Sequence, residues 1–427
     1  MGYTIPMLRY VYTILFYLIL PGVFLRLLWR SRHNPEYRHR WLERLGFGPR
    51  MKKSIWIHAA SVGETLAAIP LVKSLQQKYP GMPVIITNMT ITGGARARAA
   101  FGDTVTQAYI PYDLPGATAR FIQRCNPVIA IIMETELWPN LFYQCRRHKV
   151  PVLVANARLS EKSARGYKKI AGMTREMLTA VTTLAVQSQV EANRFTDLGL
   201  APAKVQVSGS IKFDVEVPAE VIAKSEILRA QLGNKRFIWI AASTHATEEE
   251  IVLSAHKQIL AKLPDTLLIL VPRHPQRFDE IYKMASVDFK VARRSKNEIC
   301  ELATQVYLGD TMGEMLLMYA VCDIALVAGS FAPLGGHNIL EAAVLGKPVI
   351  TGPILFNFAE ISEQLTRAGG MSIVNNADEL ATEIIGLLQD DARRIKMGED
   401  ALKFLNANRG AVAKHVDFAA KIIETPN

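Results

Sequence analysis

Residues 54–90 read SIWIHAASVGETLAAIPLVKSLQQKYPGMPVIITNMT. Ser54–Ala60 and Pro83–Thr90 are short apolar runs, and Thr65–Pro80 between them has helical spacing and ends at a proline. Strands that are apolar without alternation are covered on both faces, which is the signature of a parallel sheet wrapped by helices.

The pattern continues outward. Gly93–Phe101 reads as a helix, and Thr106–Asp113, Pro127–Glu136, Val150–Arg158, Thr182–Ser188 and Val205–Ser210 read as strands. Beyond the polar, proline-containing Phe213–Val221, the scheme repeats with Arg236–Ser243, Thr266–Arg273, Thr304–Asp310, Cys322–Ser330 and Lys347–Gly352. A chain of 427 residues exceeds the size at which one core usually stops growing. The expected fold class is therefore α/β, with two doubly wound Rossmann-like domains facing a cleft at the carboxyl ends of their strands. The domains are expected at 54–215 and 222–410.

The N-terminus differs in kind. Tyr10–Leu25 is apolar, and nine Lys/Arg against two Glu follow between Arg26 and Lys53, a local net charge of +7 within an overall +11. Sixteen helical residues reach about 24 Å, short of a hydrocarbon core of about 30 Å unless the helix runs on to Trp29 with Arg26 snorkelling. No small-residue cleavage site follows, so a signal peptide is disfavoured over a membrane anchor or interfacial helix. A buried core helix remains open. The expected layout is an anchor at 1–30 and a basic, lipid-facing segment at 31–53. The positive-inside rule puts the rest of the chain in the cytoplasm, on the inner membrane. Nucleic acid is the other partner for such charge, but no aromatic interleaving or reader motif supports it.

Several chemistries are disfavoured. Cys125, Cys145, Cys300 and Cys322 are widely spaced, with no C-x-x-C pair, which argues against a disulfide framework and a zinc site. The dinucleotide glycine fingerprint, the P-loop, H-E-x-x-H and a D-x-D pair after a strand are all missing. No metal or cofactor is expected.

Six stretches at strand ends carry candidate chemistry. In HAASVGETLAAIPLV, Glu64 opens a helix; it either complements the helix dipole or serves as a general base, and the local sequence does not separate these. In IIMETELWPNL, Glu134 and Glu136 end a buried strand, with Arg158 as an expected partner, since a buried charge needs one. Lys212 in GSIKFD follows the last strand of the first half. Arg273, His274 and Arg277 in VPRHPQRF suit a phosphate or carboxylate. GDTMGEM starts a helix near Thr311–Gly313. In GSFAPLGGHNILEAAVLGKPVITG, Gly335 and Gly336 are expected to let a ligand approach the backbone. Asn338 is expected to cap a helix whose amides face an anion, and Glu341 to meet ribose hydroxyls.

SVGETLAAIPLV, YIPYDLP, METELWPNL, NARLS, GSIKFD, VPRHPQRF, GDTMGE and GGHNILEAA occur in this order. Together they resemble the Kdo transferases of lipopolysaccharide synthesis, which have the glycosyltransferase-B fold. The resemblance runs from about residue 8 to about residue 410. It implies an inverting, metal-independent transfer of Kdo (3-deoxy-D-manno-octulosonic acid) from CMP-Kdo to the lipid A precursor lipid IVA. It further implies Glu64 as general base, with Glu134 and Lys212 as transition-state stabilisers. The implied CMP pocket is Pro272, Arg273, Met312, Gly313, Glu314, Asn338, Ile339, Leu340 and Glu341. By the same resemblance, the helix within 411–427 packs back on the first domain. Two rivals stay open: a related enzyme using a UDP- or ADP-sugar, and a non-catalytic membrane scaffold of the same fold. The sequence is silent on the number of sugars transferred and on oligomeric state.

Overall fold

The computed structural model describes residues 5–32, 36 and 40–425, without the side chains of residues 5 and 6. Arg38 of the basic segment lies outside the described residues. The chain forms two compact units: Met1–Asp214 with Arg409–Asn427, and Val215–Asn408.

The first unit is built on seven parallel strands: β1 (Ser54–His58), β2 (Val84–Asn88), β3 (Thr106–Tyr109), β4 (Pro127–Met133), β5 (Val152–Ala157), β6 (Val181–Val186) and β7 (Val205–Val207). Their spatial order is β3-β2-β1-β4-β5-β6-β7. Successive side chains leave opposite faces of a strand, so β1 feeds two cores. Trp56 packs edge-on against Phe121, with ring centroids 5.0 Å apart, and its indole N–H donates to Thr87 Oγ1 at 2.9 Å. Ile55 and Ile57 join Leu71, Ile129 and Ile131 on the other side. Each such fully buried aliphatic side chain contributes about 1.5–3 kcal/mol.

The last helix, Ala411–Glu424, covers that second face with Val416 and Ala419. Asp214 holds its start by accepting from the Gly410 and Val412 amides, both at 2.6 Å. His415 is fully buried and accepts from the Asn156 amide at 2.8 Å. That fixes its proton on Nδ1, which donates to the Ala411 carbonyl at 2.6 Å.

The second unit repeats the plan with β8 (Ile238–Thr244), β9 (Leu267–Pro272), β10 (Val291–Arg293), β11 (Val306–Leu308), β12 (Ile324–Val327), β13 (Val349–Thr351) and β14 (Met371–Ile373). All are parallel, in the order β10-β11-β9-β8-β12-β13-β14. The sequence reading missed β10 and β14. They are the two edge strands of this sheet, and each breaks its short apolar run with a polar residue, Arg293 or Ser372.

The first helix, Ile5–Arg30, lies along the first unit. Arg9 is buried, reaching Glu176 at 3.2 Å and Asn140 Oδ1 at 3.3 Å, with its guanidinium over the Tyr143 ring. Thr13 bonds the Asn140 carboxamide, and Phe24 meets both Trp41 and Tyr112. The other faces are apolar and exposed, including Leu18, Ile19, Leu25 and Trp29. Residues Met7–Arg30 are long and apolar enough to cross a membrane.

Candidate active site

In open α/β sheets, ligands gather where neighbouring strands run on to opposite sides of the sheet, at the strands' carboxyl ends. The first sheet has that point between β1 and β4. Glu64 follows one strand, and Glu134 and Glu136 follow the other.

Glu64 is the third residue of the helix Val62–Lys78, which Ser61 caps. Its Oε2 accepts from the Ala60 amide at 2.8 Å, and its Oε1 accepts from the Ser61 hydroxyl at 2.9 Å. These bonds fix the carboxylate in the first turn beside the N-cap, so the dipole role read from sequence is present in the structure. They also hold the carboxylate in one orientation with only 7% of the residue exposed. Burial pushes its pKa up to about 7, against the lowering effect of the two hydrogen bonds, and Glu134 and Glu136 raise it further. A carboxylate poised there is suited to accept a proton at neutral pH.

Strand β4 stops at Met133, so Glu134 and Glu136 lie on a turn. Glu134 has φ 56°, left-handed backbone that a non-glycine residue rarely adopts without support. Its amide donates to the Ala155 carbonyl at 2.9 Å, and Thr135 Oγ1 bonds the Arg158 carbonyl. Glu136 accepts from the Trp138 indole at 2.8 Å. The expected ion pair with Arg158 is not formed among the described residues: Arg158 is exposed and contributes its carbonyl instead. Lys212 sits in the short turn Ile211–Phe213, five residues beyond β7 and farther from the strand than the sequence suggested. Burial lowers its pKa, while the charge of Glu134 raises it. The structure thus brings Glu134 and Glu136 within electrostatic reach of Glu64, and Lys212 within reach of Glu134.

Beside them is an apolar pocket of about 400 Å³, lined by Tyr12 and Phe16 of the first helix, by Leu137 and Trp138, and by Met173 and Met177, with Glu136 at its wall.

In the second unit, Arg273 follows β9 and is exposed, with its amide donating to the Thr244 carbonyl at 2.9 Å. It makes no ion pair among the described residues. Arg277 differs from the sequence expectation, because Glu249 at 2.7 Å and Glu280 at 3.0 Å occupy it. Glu314 is gripped by Arg294 at 2.9 and 3.0 Å and by the Thr311 hydroxyl at 2.5 Å. Met312 is exposed, and Gly313 has φ 85°. The helix there begins at Met315, later than the sequence reading placed it.

The segment after β12 also differs in detail. The expected helix is only Leu340–Ala343, too short for a strong terminal field. Asn338 Oδ1 accepts from the Leu340 amide at 3.2 Å, and its Nδ2 donates to Glu341 at 3.1 Å. Ile339 and Leu340 are core residues, as Pro272 is. Cβ atoms at Gly335 and Gly336 would strike Phe356, Asn357 and Leu355, so these glycines admit the chain's own segment, not an open ligand space.

Sequence reasoning missed Glu248. As the first residue of the helix Glu248–Lys262 it looks like an ordinary dipole partner. Yet it is fully buried and binds the Gly329, Ser330 and Phe331 amides at 2.9–3.0 Å. Only chain folding brings those amides to it.

The chain matches two family models: "3-Deoxy-D-manno-octulosonic-acid transferase (kdotransferase)" over residues 39–215 and "Glycosyl transferases group 1" over residues 234–404. It is 42% identical to the 3-deoxy-D-manno-octulosonic acid transferase of Haemophilus influenzae, over 98% of this chain and 99% of that one. The chain belongs to the Kdo transferase family. The Bordetella pertussis enzyme of that name is 37% identical over 85% of this chain and 86% of its own. A glycosyltransferase from Rickettsia africae shares the fold of this Kdo transferase with a TM-score of 0.55 and 16% identity, over 88% of this chain and 100% of that one. A UDP-GlcNAc 2-epimerase from Neisseria meningitidis shares it with a TM-score of 0.57 and 13% identity, over 87% and 99%. The Kdo transferase match spans Glu64, Glu134 and Lys212, and the group 1 match spans Arg273, Glu314 and Glu341.

Proposed function

We propose that this Kdo transferase moves Kdo from CMP-Kdo onto the lipid A precursor lipid IVA, with inversion and without a metal, at the cytoplasmic face of the inner membrane. The observation that carries the reading is Glu64, a buried carboxylate held at the end of β1 with its pKa pushed up to about 7. Glu64 takes the proton of the acceptor hydroxyl as that oxygen attacks the anomeric carbon of Kdo. The bond to the CMP phosphate breaks, and CMP leaves with the bonding pair. Lys212, steered by Glu134, offsets negative charge in the transition state, where a fixed cation in a water-poor site acts most strongly. Arg273 has no competing ion pair among the described residues and is suited to the leaving phosphate. One phosphate carries little enough charge for such side chains to offset without a divalent cation.

Two features favour a lipid acceptor. The apolar pocket adjoining Glu136 suits an acyl chain. The first helix packs along the protein from Arg9 to Phe24 while exposing an apolar face, which suits a helix lying in the membrane surface with the basic segment beside it.

The test is transfer from CMP-Kdo generated in situ to a tetraacylated lipid A precursor, comparing wild type with Glu64→Ala and adding EDTA once the donor has formed. Product from wild type alone, its mass counting the sugars added, supports the reading. A folded wild type that leaves intact donor unused sinks it and points to UDP- or ADP-sugars.

A further inference from the structure

Three histidines meet at the carboxyl ends of β9, β8 and β12, the central strands of the second sheet. His245 directly follows β8, His274 follows β9 by two residues, and His337 closes the loop after β12. The His245 and His337 rings lie end to end and nearly coplanar, with centroids 5.1 Å apart, planes 12° from parallel and Nε2 atoms 2.8 Å apart. His274 meets His245 edge-on at 5.2 Å.

This arrangement is built into the backbone. Gly329 has φ 73°, and a Cβ there would lie 2.7 Å from the His337 ring, so only glycine leaves room for it. Oε2 of the buried Glu248 accepts from both the His245 amide at 3.0 Å and the Gly329 amide at 2.9 Å. One carboxylate therefore ties together the two segments that present the rings.

The Nε2–Nε2 hydrogen bond has a chemical consequence. One ring donates and the other accepts, so the accepting ring, when neutral, carries its proton on Nδ1. Neither Nδ1 is bonded within the described residues. The pair thus holds an N–H donor in reserve, beside Arg273, which makes no ion pair among the described residues. The nearby acids are already engaged: Glu248 by backbone amides, and Glu249 by Arg277.

The phosphate of the donor is a single group, but the transferred sugar is itself an acid, with a carboxylate on its anomeric carbon. We propose that His245, His274 and His337, next to the phosphate-facing Arg273, form the subsite that reads the carboxylate of the donor's acidic sugar. This rests on the reading of the donor as CMP-Kdo. It explains how a fold shared with UDP-sugar enzymes admits an ulosonic acid: a neutral sugar leaves the half-buried N–H donor unanswered, which costs binding.

The test separates the sugar from the nucleotide in one assay on the full-length protein. KM for CMP-Kdo and the inhibition constant of CMP alone are measured for wild type, for exposed-ring His274→Gln, and for His245→Gln with His337→Gln. Glutamine keeps a polar donor near Nε2 but cannot reproduce Nδ1–H. The expected result for the double variant is a KM at least about tenfold higher with CMP inhibition within about twofold of wild type, which is over 1 kcal/mol confined to the sugar. His274→Gln, which removes an exposed ring with one edge-on contact to His245, is expected to shift KM the same way by about threefold. Thermal melting identifies a variant that has simply unfolded. CMP inhibition weakened in parallel with KM would assign the cluster to the phosphate and overturn the proposal. So would an unchanged KM in both variants. An inactive wild type would instead overturn the donor reading itself.

Discussion

The two sheets end in opposite chemistry. In the first unit, the strand ends flanking the β1/β4 junction present Glu64, Glu134 and Glu136, with Lys212 the charge that moderates them. In the second, the ends of β9, β8 and β12 present Arg273 and three histidines, while the nearby acids are consumed by amides or by Arg277. Burial acts on both sets in the same physical way and with opposite sign. It raises Glu64, which suits a base working near neutrality, and lowers His337 to about 4 and His245 in the same direction, which keeps those rings neutral. One architecture therefore supplies a proton acceptor at the strand ends of one unit and imidazole and guanidinium N–H groups at those of the other.

Removing the base should give the largest effect. Glu64→Gln keeps the cap geometry but cannot take a proton, so kcat is expected to fall by about 10³–10⁴ with KM little changed. A loss below about tenfold would reduce Glu64 to a helix cap. Lys212→Met should follow, with kcat down about 10²–10³; a change confined to KM would make the lysine a binding group.

The two arginines of VPRHPQR sharpen the contrast within the second unit. Arg273→Ala should raise the donor KM by about tenfold and leave the melting temperature unchanged. Arg277→Ala strands the buried Glu249 and should cost about 3 kcal/mol of stability with little change in KM once the protein is folded. Interchanged outcomes would reverse the assignment of free and structural cations.

The smallest expected signal is pH dependence. A raised Glu64 pKa favours the folded state while the carboxyl is protonated. That contribution is complete below pH 4.5 and is lost as pH rises through about 7. Glu64→Gln should therefore melt higher than wild type at pH 8 and match it at pH 4. Activity should run the other way in wild type, rising through pH 7 as the base ionises. A wild-type rate flat between pH 6 and 8 would place the titration elsewhere.

Much of this was legible in the chain. The apolar runs gave twelve of the strands because burial on both faces demands continuous apolar sequence, whereas Val291–Arg293 and Met371–Ile373 are edge strands whose short runs include a polar residue. Strand ends exposed the candidate acids, since Glu64 and Glu134 each follow a run with no other charge. Arg158 was paired wrongly because a strand end fixes a residue's neighbourhood but not the direction of its side chain. Glycine pairs were misread for a related reason: the sequence shows that Gly335 and Gly336 leave space, not that Phe356 and Leu355 fill it.

The sequence by itself determined the doubly wound α/β class, the apolar first helix with its basic flank, and the strand-end motifs, because hydrophobic periodicity and turn chemistry are local. Only the tertiary structure decided that Glu64 is buried beside two other carboxylates, that Glu248 ties His245 to Gly329, and that three histidines far apart in the chain share one face. Those facts depend on parallel strand order, and strand order is set by long-range packing that no single stretch of residues records.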